Sequence, residues 1–342
     1  MRILSFNWHE PYISLMAKTG HSFDIAEPER GRMGARRWDT RMRPAPANVS
    51  IVSQADGLKN LDRQLYDLVV CHNFADMALV ADRSCPVILL FHNKLSAEIA
   101  IGADTVRRAD YLADVTRLAG KADMLVFVSE SKRDDWGFTT DTIKNSPAMV
   151  ILPGIDAGDF PEYQGDIPKA LRIGNYMKER EATLGYSTQE KIIDGFDNTL
   201  LGVNPNIDRS IAPENYDDLK SYFVHHRFYL NTTVDGFEDG YNLAMLEAMA
   251  SGMPIVSTAN KTSPITDGVE GFVSDDRGYL RRKIGELMAD RGLARRMGAR
   301  AKTKALEMFG IDKFKTAWNK AFGAAASKRA QKAYGAGEKQ AE

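Results

Sequence analysis

The chain has 342 residues, which is too long for one small module and long enough for two packed domains. Its hydrophobic fraction of 44% and charged fraction of 27% are typical of globular proteins and exclude the disordered, collagen-like and disulfide-scaffold classes. Lysine and arginine number 45 against 46 aspartate and glutamate, so the formal net charge of -1 predicts no global attraction to nucleic acid or membranes.

The two cysteines, Cys71 and Cys85, stand in apolar surroundings without Cys-x-x-Cys spacing. This favours reduced core thiols over a disulfide framework or a thiolate zinc site. The apolar run from Ile3 to Phe6 lacks the core of a signal peptide, and no stretch approaches the roughly 18 to 20 apolar residues that span a bilayer. We therefore expect a cytoplasmic protein.

Short apolar runs recur in the N-terminal half and are dense in Val, Ile and Leu, as strands covered on both faces of a parallel sheet must be. Apolar residues at helical spacing fill the stretch from Asp104 to Gly120 between two of them. The alternation of strands and helices predicts a doubly wound α/β sheet. The runs are MRILSF (1–6), DLVVCH (67–72), PVILLFH (86–92), DMLVFVS (123–129) and AMVILPG (148–154).

A second series of strands follows a segment rich in Gly, Pro and Asp at 155–170, which predicts a linker or domain edge. From Arg277 the pattern is helical almost to the end. We predict two Rossmann-like domains, 1–155 and 156–310, and C-terminal helices over 311–342 that pack back toward the first domain and end in a frayed tail. The runs of the second series are ALRIGNY (170–176), TLLGV (199–203), RFYLNTTV (227–234), PIVST (254–258) and EGFVS (270–274).

Several common catalytic motifs are absent from the sequence. There is no Gly-x-x-x-x-Gly-Lys loop, no Gly-x-Gly-x-x-Gly turn, no His-Glu-x-x-His and no Gly-x-Ser-x-Gly. There is also no Asp-x-Asp, the carboxylate pair expected where a divalent metal bridges a nucleotide diphosphate to protein. We therefore expect no metal and no cofactor, and any bound diphosphate would be held by cationic side chains and helix termini.

The most informative segment is DGFEDGYNLAMLEAMASGMPIVST, residues 235–258. A strand ends near Val234, an acidic loop follows, and a helix is predicted from about Tyr241. This helix points out of the carboxyl edge of a parallel sheet, where open α/β folds bind ligands. Free N–H groups at Gly240, Tyr241 and Asn242, with the helix dipole, predict an anion site suited to a diphosphate.

Two acids flank this predicted anion site. Asp239 precedes the helix and Glu247 lies eight positions later, a separation on the order of a sugar-diphosphate-ribose span at about 1.5 Å rise per helical residue. Both can accept hydrogen bonds from sugar hydroxyls. The alternative is that Asp239 caps the helix and Glu247 is an exposed helical residue.

This segment resembles the retaining GT-B glycosyltransferases of the group 1 family. Their pattern is an acid, Gly-Phe-Gly-Leu, three residues, Glu-Ala and a small-residue turn into a strand. The chain has DGYNL at 239–243, then AML, then EAMASGMPIV at 247–256. It departs from the pattern by Asp239 where Glu is usual and by Asn242 where Gly is usual. Since Glu238 is an alternative sugar contact, the register stays open by one residue.

The resemblance implies a GT-B architecture, in which two Rossmann-like domains face a cleft and the second domain binds a UDP- or GDP-linked sugar. It implies that Asp239 contacts the donor sugar and Glu247 the ribose, and that the sugar is transferred with retention. The implied donor site also includes Gly240, Tyr241, Asn242 and Leu243.

The run ALRIGNYMKER at 170–180 resembles the first strand of the family's donor domain. In the family this strand ends in Gly-Arg with a Lys a few residues on, and the two cations hold the diphosphate. Here Asn175 replaces the Arg, and Lys178 and Arg180 remain as candidates. Their alternative interpretation is ordinary surface charge.

Two histidines end successive predicted strands, His72 in VVCHN and His92 in LLFHN. In the resembled family the second of these positions lies near the reacting sugar, so that role is expected for His92, with His72 more structural. His9 follows the first strand, where the family has a glycine-rich turn near the phosphates. Because those glycines are absent, His9 is expected to contact the acceptor, with His72 as a further acceptor-side residue.

The segment RGRMGARRWDTRMR at 30–43 carries six arginines against one aspartate and predicts a loop. A charge run is often only a solvated face. The alternative is an anionic acceptor met by Arg36, Arg37 and Trp38: a phospholipid surface, a phosphorylated glycan carrier, or nucleic acid with a hydroxymethylated base. The sequence leaves these acceptors open.

The sequence leaves two other functions open. The atypical Asp239, Asn242 and Asn175 also suit a non-catalytic module that binds sugar nucleotides or glycans. A GT-B epimerase of sugar nucleotides is the third possibility. No obligate protein partner is predicted.

Overall fold

The computed structural model describes residues 1–28, 37–101, 108–138 and 146–338. The chain divides into two compact units. The first comprises Met1–Leu95, Gly102–Pro153 and Asp312–Glu342, and the second comprises Ser96–Ile101 and Gly154–Ile311.

The first unit is built on a seven-stranded sheet in the order β3-β2-β1-β4-β5-β6-β7, with every neighbouring pair parallel. Strands β4, β5 and β6 are buried along their whole length, as their unbroken apolar sequences predict. The strands are β1 (Arg2–Phe6), β2 (Ser22–Glu27), β3 (Val49–Ser53), β4 (Leu68–Cys71), β5 (Val87–Phe91), β6 (Met124–Phe127) and β7 (Ala148–Val150).

Helices follow the strands of the first unit, and three of them begin on a capping side chain. Ser53, Asn73 and Ser129 each accept a hydrogen bond from the backbone N–H three residues later, which satisfies an amide of the first turn. The helices are α1 (Glu10–Ala17), α2 (Gln54–Asp62), α3 (Phe74–Val80), α4 (Leu95–Ile101), α5 (Arg108–Ala119) and α6 (Glu130–Trp136). Most of α4 groups with the second unit.

The second unit contains a six-stranded parallel sheet in the order β10-β9-β8-β11-β12-β13. Its strands are β8 (Ile167–Ile173), β9 (Asn198–Leu201), β10 (Ser210–Ile211), β11 (His226–Asn231), β12 (Ile255–Ser257) and β13 (Gly271–Val273). Its helices are α7 (Glu181–Leu184), α8 (Tyr186–Ile193), α9 (Tyr216–His225), α10 (Leu243–Ser251), α11 (Arg277–Ala289) and α12 (Arg291–Phe309).

The last helix, α13 (Ile311–Glu338), groups with the first unit from Asp312 onward. Its Trp318 and Phe322 are fully buried. The ring centroid of Phe322 lies 5.4 Å from that of His21 beside β2, so apolar contacts hold this helix against the sheet. Among the helices of the described residues, none is both long and apolar enough to cross a membrane.

The predicted α/β class with two parallel sheets and C-terminal helices is confirmed, and each predicted apolar run contains a strand. Three strands were missed: β2, β3 and β10. Strand β2 carries Asp24, which is buried because Arg2 and Tyr66 each donate a hydrogen bond of 2.7 Å to its carboxylate. Strand β3 has no fully buried residue, and β10 has only two residues.

Both sheets reverse their strand order at one point, between β1 and β4 in the first unit and between β8 and β11 in the second. The connections leave the two central strands in opposite directions there, which opens a crevice at the carboxyl edge of the sheet. Ligands of open α/β folds bind in such crevices. We therefore expect a ligand-binding site in the loops that follow β1, β4, β8 and β11.

Candidate functional site

Two loops meet the reversal point of the second unit: 174–180 after β8 and 232–242 after β11. Arg180 ends the first loop and is half-buried. Burial lowers the pKa of its guanidinium, and the carboxylate of Glu238 in the second loop opposes that shift. The two predicted donor residues Arg180 and Glu238 therefore act on each other electrostatically across the reversal point.

Residues 260–263 pack against the acidic loop 232–242 and form hydrogen bonds with it. The Gly240 N–H donates to Thr262 Oγ1 at 2.7 Å, and Asn260 Nδ2 donates to the Glu238 carbonyl at 3.1 Å. A Cβ at Gly240 would lie 2.6 Å from the backbone N of Ser263. Only glycine allows this approach of the two segments, which explains why an acid is followed by Gly at this point.

Helix α10 begins two residues later than predicted. Its cap is Asn242, whose Oδ1 accepts a hydrogen bond of 2.8 Å from the Met245 N–H. The Gly240 N–H is not free, because it binds Thr262, so the predicted anion site loses that donor. The N–H groups of Leu243 and Ala244 precede the start of helical hydrogen bonding and are the amides that the first turn offers to an anion.

Three carboxylates of the acidic motif are buried: Glu238 is 8% exposed, Asp239 1% and Glu247 8%. Glu238 Oε1 accepts a hydrogen bond of 2.9 Å from the Asp239 N–H. Glu247 lies inside α10, and its charge adds to the burial that raises the pKa of Tyr229 on β11. The alternative of a capping Asp239 and an exposed Glu247 is thus wrong, because Asn242 is the cap and Glu247 is buried.

The loop after β8 shows what Asn175 does where the family carries Arg. Its Oδ1 accepts a hydrogen bond of 2.8 Å from the Val203 N–H, so it ties this loop to the one after β9. Lys178 is exposed, and its Nζ donates to the Asn206 carbonyl at 2.6 Å in that same neighbouring loop. The other predicted cation, Arg180, is electrostatically coupled to Glu238 of the acidic loop.

The first unit brings His72 and His92 together at the carboxyl ends of β4 and β5. His72 Nδ1 lies 2.9 Å from His92 Nε2, and its Nε2 lies 2.9 Å from Ser5 Oγ on β1. The two rings are nearly coplanar, at 10°, with centroids 5.2 Å apart. That separation is too long for face-to-face contact and fits an in-plane N–H···N hydrogen bond.

Both rings are held neutral. Burial, followed by the charge of His9, lowers the pKa of His72 to about 3. The pKa of His92 lies well below its usual value because of burial, followed by the charges of His72, His9 and Lys132. Each ring therefore carries one N–H at neutral pH.

His9 completes this group, at the N-terminus of α1. Its ring is exposed, with its centroid 6.0 Å from that of His92. Its carbonyl accepts hydrogen bonds from Tyr12 and Ile13, so a helix start replaces the family's glycine-rich turn. The sequence did not predict that His9 would lie beside His92, although both follow strands near the reversal point.

Comparison with known proteins finds a family model that matches part of the second unit. Residues 196–290 match the model described as Glycosyl transferases group 1. This segment is therefore similar to the group 1 glycosyltransferases, which confirms the resemblance seen in the motif and supports the predicted enzyme class.

One curated protein similar to this chain is the Bifunctional protein GlmU of Geobacillus sp. (strain WCH70), 25% identical over 182 residues. The aligned region covers 52% of this chain and 38% of GlmU, so the chain spans about two fifths of that relative.

Solved structures similar to this chain share its fold over almost the whole of its length. The sucrose-phosphate synthase of Thermosynechococcus elongatus is 13% identical with a TM-score of 0.64, and covers 94% of this chain and 98% of its own. Anabaena Alr3699/HepE, solved with UDP and glucose, is 12% identical with a TM-score of 0.66, covering 95% and 100%. WaaG, a glycosyltransferase involved in lipopolysaccharide biosynthesis, is 12% identical with a TM-score of 0.60, covering 94% and 98%. These likenesses show the GT-B fold.

The predicted acceptor residues of the segment 30–43 are only partly within the described part of the chain. Arg36 lies outside the described residues. Arg37 is exposed, with its Nε 3.9 Å from Glu27. Trp38 is 6% exposed, and its indole N–H donates to the Arg43 carbonyl at 2.6 Å. The expectation that Trp38 stacks on a base is therefore not supported, because its ring is packed against the protein.

Proposed function

We propose that this glycosyltransferase moves a sugar from a nucleotide-diphosphate sugar to an acceptor hydroxyl, and that the donor binds at the carboxyl edge of the second unit. The observation that carries the proposal is the electrostatic interaction of Arg180 with the buried Glu238 of the acidic motif, at the reversal point of a parallel sheet. This edge lies within or beside the segment that matches the family model.

The donor nucleotide is proposed to be UDP, since the Anabaena relative was solved with UDP and with UDP-glucose. Its diphosphate would meet the guanidinium of Arg180 and the N–H groups of Leu243 and Ala244. A guanidinium binds phosphate oxygens with two N–H donors at once, which makes it the stronger cation here. Lys178 would add charge from the exposed side of the same loop.

The acids would bind hydroxyl groups of the donor. Glu247 is proposed to accept a hydrogen bond from the ribose, and Asp239 or Glu238 from the transferred sugar. Buried carboxylates favour hydroxyl donors strongly, because their desolvation is offset only when such hydrogen bonds form.

The reaction is proposed to proceed on one face of the sugar, with retention and without a metal. The bond from the anomeric carbon to the diphosphate oxygen breaks, the acceptor oxygen bonds to the same carbon, and the acceptor proton passes to the leaving diphosphate. Arg180 and the helix amides would stabilise the charge that develops on that leaving group. His92, at the carboxyl edge of the first unit's sheet, would bind a hydroxyl group of a substrate.

For the acceptor we propose a hydroxyl compound and no narrower class. The arginine excess of 30–43 is partly offset in the described part of that segment, where Arg41 pairs with Asp39 at 3.0 Å and Arg37 lies near Glu27. Trp38 is buried, so the proposal does not include a base stacked on its ring.

Nucleotide binding tests the donor site directly. Calorimetric titration with UDP, GDP, ADP and dTDP in EDTA should give binding of at least one nucleotide by the wild-type protein. Arg180→Gln should weaken it about tenfold or more, the loss expected for a charge-assisted hydrogen bond. The matched control is Arg300→Gln on the exposed surface of α12, which should bind like the wild type. Equal affinity of the Arg180 variant would overturn the assignment of the site.

A further inference from the structure

A chain of hydrogen bonds runs from the core of the first unit to His92. Ser5 Oγ lies 3.1 Å from the Val70 carbonyl and 2.9 Å from His72 Nε2, and His72 Nδ1 lies 2.9 Å from His92 Nε2. Ser5 and His72 are both buried. The position of each proton in this series of hydrogen bonds follows from the bond between Ser5 and the Val70 carbonyl.

A backbone carbonyl can only accept, so the Ser5 hydroxyl proton is directed at Val70. The Ser5 oxygen then accepts from His72, which places the single proton of the neutral ring on His72 Nε2. His72 Nδ1 is left as an acceptor, and its contact with His92 requires a proton on His92 Nε2. His92 Nδ1 therefore carries the lone pair.

We propose that His72 is a positioning residue which, fixed by Ser5, holds His92 in the Nε2–H tautomer and leaves His92 Nδ1 as a hydrogen-bond acceptor for a hydroxyl group of the substrate. The role of Nδ1 toward a sugar hydroxyl rests on the proposed glycosyl transfer, whereas the tautomer itself does not. If the His92 ring could exchange tautomers, Nδ1 would carry a proton part of the time. In that form Nδ1 could not accept a hydrogen bond from the hydroxyl group.

The surroundings of His92 support a fixed ring. The edge of the Tyr12 ring meets it at 86° with centroids 5.0 Å apart, and the coplanar His72 ring sets its plane. The charged or titratable groups that face it are His9, His72, Lys132 and Tyr12. The cation of Lys132 disfavours a second proton on the ring, so the acceptor persists at neutral pH.

Long-range proton–nitrogen NMR of histidine-labelled full-length protein reads the tautomer without any assay of activity. We expect His92 and His72 both as Nε2–H in the wild type. Ser5→Ala removes the acceptor of the His72 Nε2–H, so the His92 signal should shift toward the Nδ1–H form. The matched control is Ser14→Ala, since Ser14 Oγ has no hydrogen-bond partner among the described residues. An Nδ1–H form of His92 in the wild type, or an unchanged tautomer in Ser5→Ala, would overturn the proposal.

Kinetics then test the consequence for substrate. In His72→Asn the amide oxygen can replace Nδ1 as acceptor, whereas His72→Leu has no acceptor. We expect kcat/KM to fall tenfold or more in the Leu variant and to stay within about threefold of wild type in the Asn variant. Equal losses in both variants would contradict a positioning role. If the wild type shows no transfer with any donor, the proposed function fails, and the NMR result still decides the tautomer.

Discussion

Asn242 links the start of α10 to the end of β11 through Asn231. Its Oδ1 accepts from the Met245 N–H at 2.8 Å, and its Nδ2 donates to Asn231 Oδ1 at 3.3 Å. Asn231 Nδ2 in turn donates to the Gly240 carbonyl at 3.2 Å. The residue that departs from the family pattern is thus the helix cap, and it also holds the acidic loop through its neighbour.

Asn242→Ala should lower the free energy of unfolding by about 1 to 2 kcal/mol, because the Met245 N–H loses its cap. Asn242→Asp keeps the cap and loses the amide donor to Asn231 and Tyr229, so it should be less destabilised than the Ala variant. Its added negative charge beside the first turn should nevertheless weaken nucleotide binding. Urea unfolding and calorimetric titration with UDP measure the two effects. Wild-type stability of the Ala variant would contradict the capping role.

Gly240→Ala should destabilise the second unit by about 1 to 3 kcal/mol, because the new methyl group would meet the backbone of Ser263 at 2.6 Å. The matched control is Gly285→Ala within α11, where an added Cβ meets nothing within 4 Å. That control should be neutral or more stable by up to about 1 kcal/mol, because alanine favours the helix. The stabilities of the two variants are compared by the midpoints of their urea unfolding curves. If the two variants unfold alike, the acidic loop is not pressed against 260–263.

Acid should destabilise the first unit through His72. Its pKa of about 3 in the folded protein lies below the ordinary value near 6.5, so between these values only the unfolded chain binds the proton. The contribution of His72 to the free energy of unfolding is complete above about pH 6.5. It falls by about 1.4 kcal/mol for each pH unit between that value and the pKa of the folded protein. The groups that face His72 are His9, His92 and Ser5.

Urea unfolding at pH 7.5 and 5.5 measures this contribution. The pKa of His92 is also lowered in the folded protein, so the wild type should lose more stability over this interval than His72 alone accounts for. His72→Asn removes one titrating ring and should lose about 1.4 kcal/mol less than the wild type over the same interval. An identical pH dependence of the two proteins would show that His72 binds a proton in the folded state.

The sequence predicted the sheets where apolar runs are unbroken, and it missed strands whose residues are polar or exposed. Strand β2 has no unbroken apolar run, because it contains the buried Asp24. The burial of Asp24 depends on hydrogen bonds from Arg2, 22 positions earlier, and from Tyr66. The acidic motif predicted a helix that starts beyond the carboxyl end of a strand in the second unit, and α10 starts there. It could not show that Thr262 occupies the Gly240 N–H, since that contact depends on how a distant loop packs. The link from Ser5 to His92 joins three strands and has no local pattern either.

Release of nucleoside diphosphate from sugar nucleotides tests the central claim most directly. The wild-type protein, incubated in EDTA with a panel of UDP- and GDP-sugars, should release the nucleotide from at least one donor by slow hydrolysis or transfer. Glu247→Gln should reduce that rate tenfold or more, whereas Arg300→Gln should not change it. Binding of nucleotide with no release from any donor would indicate a non-catalytic module. Release at an unchanged rate in Glu247→Gln would contradict the proposed donor site.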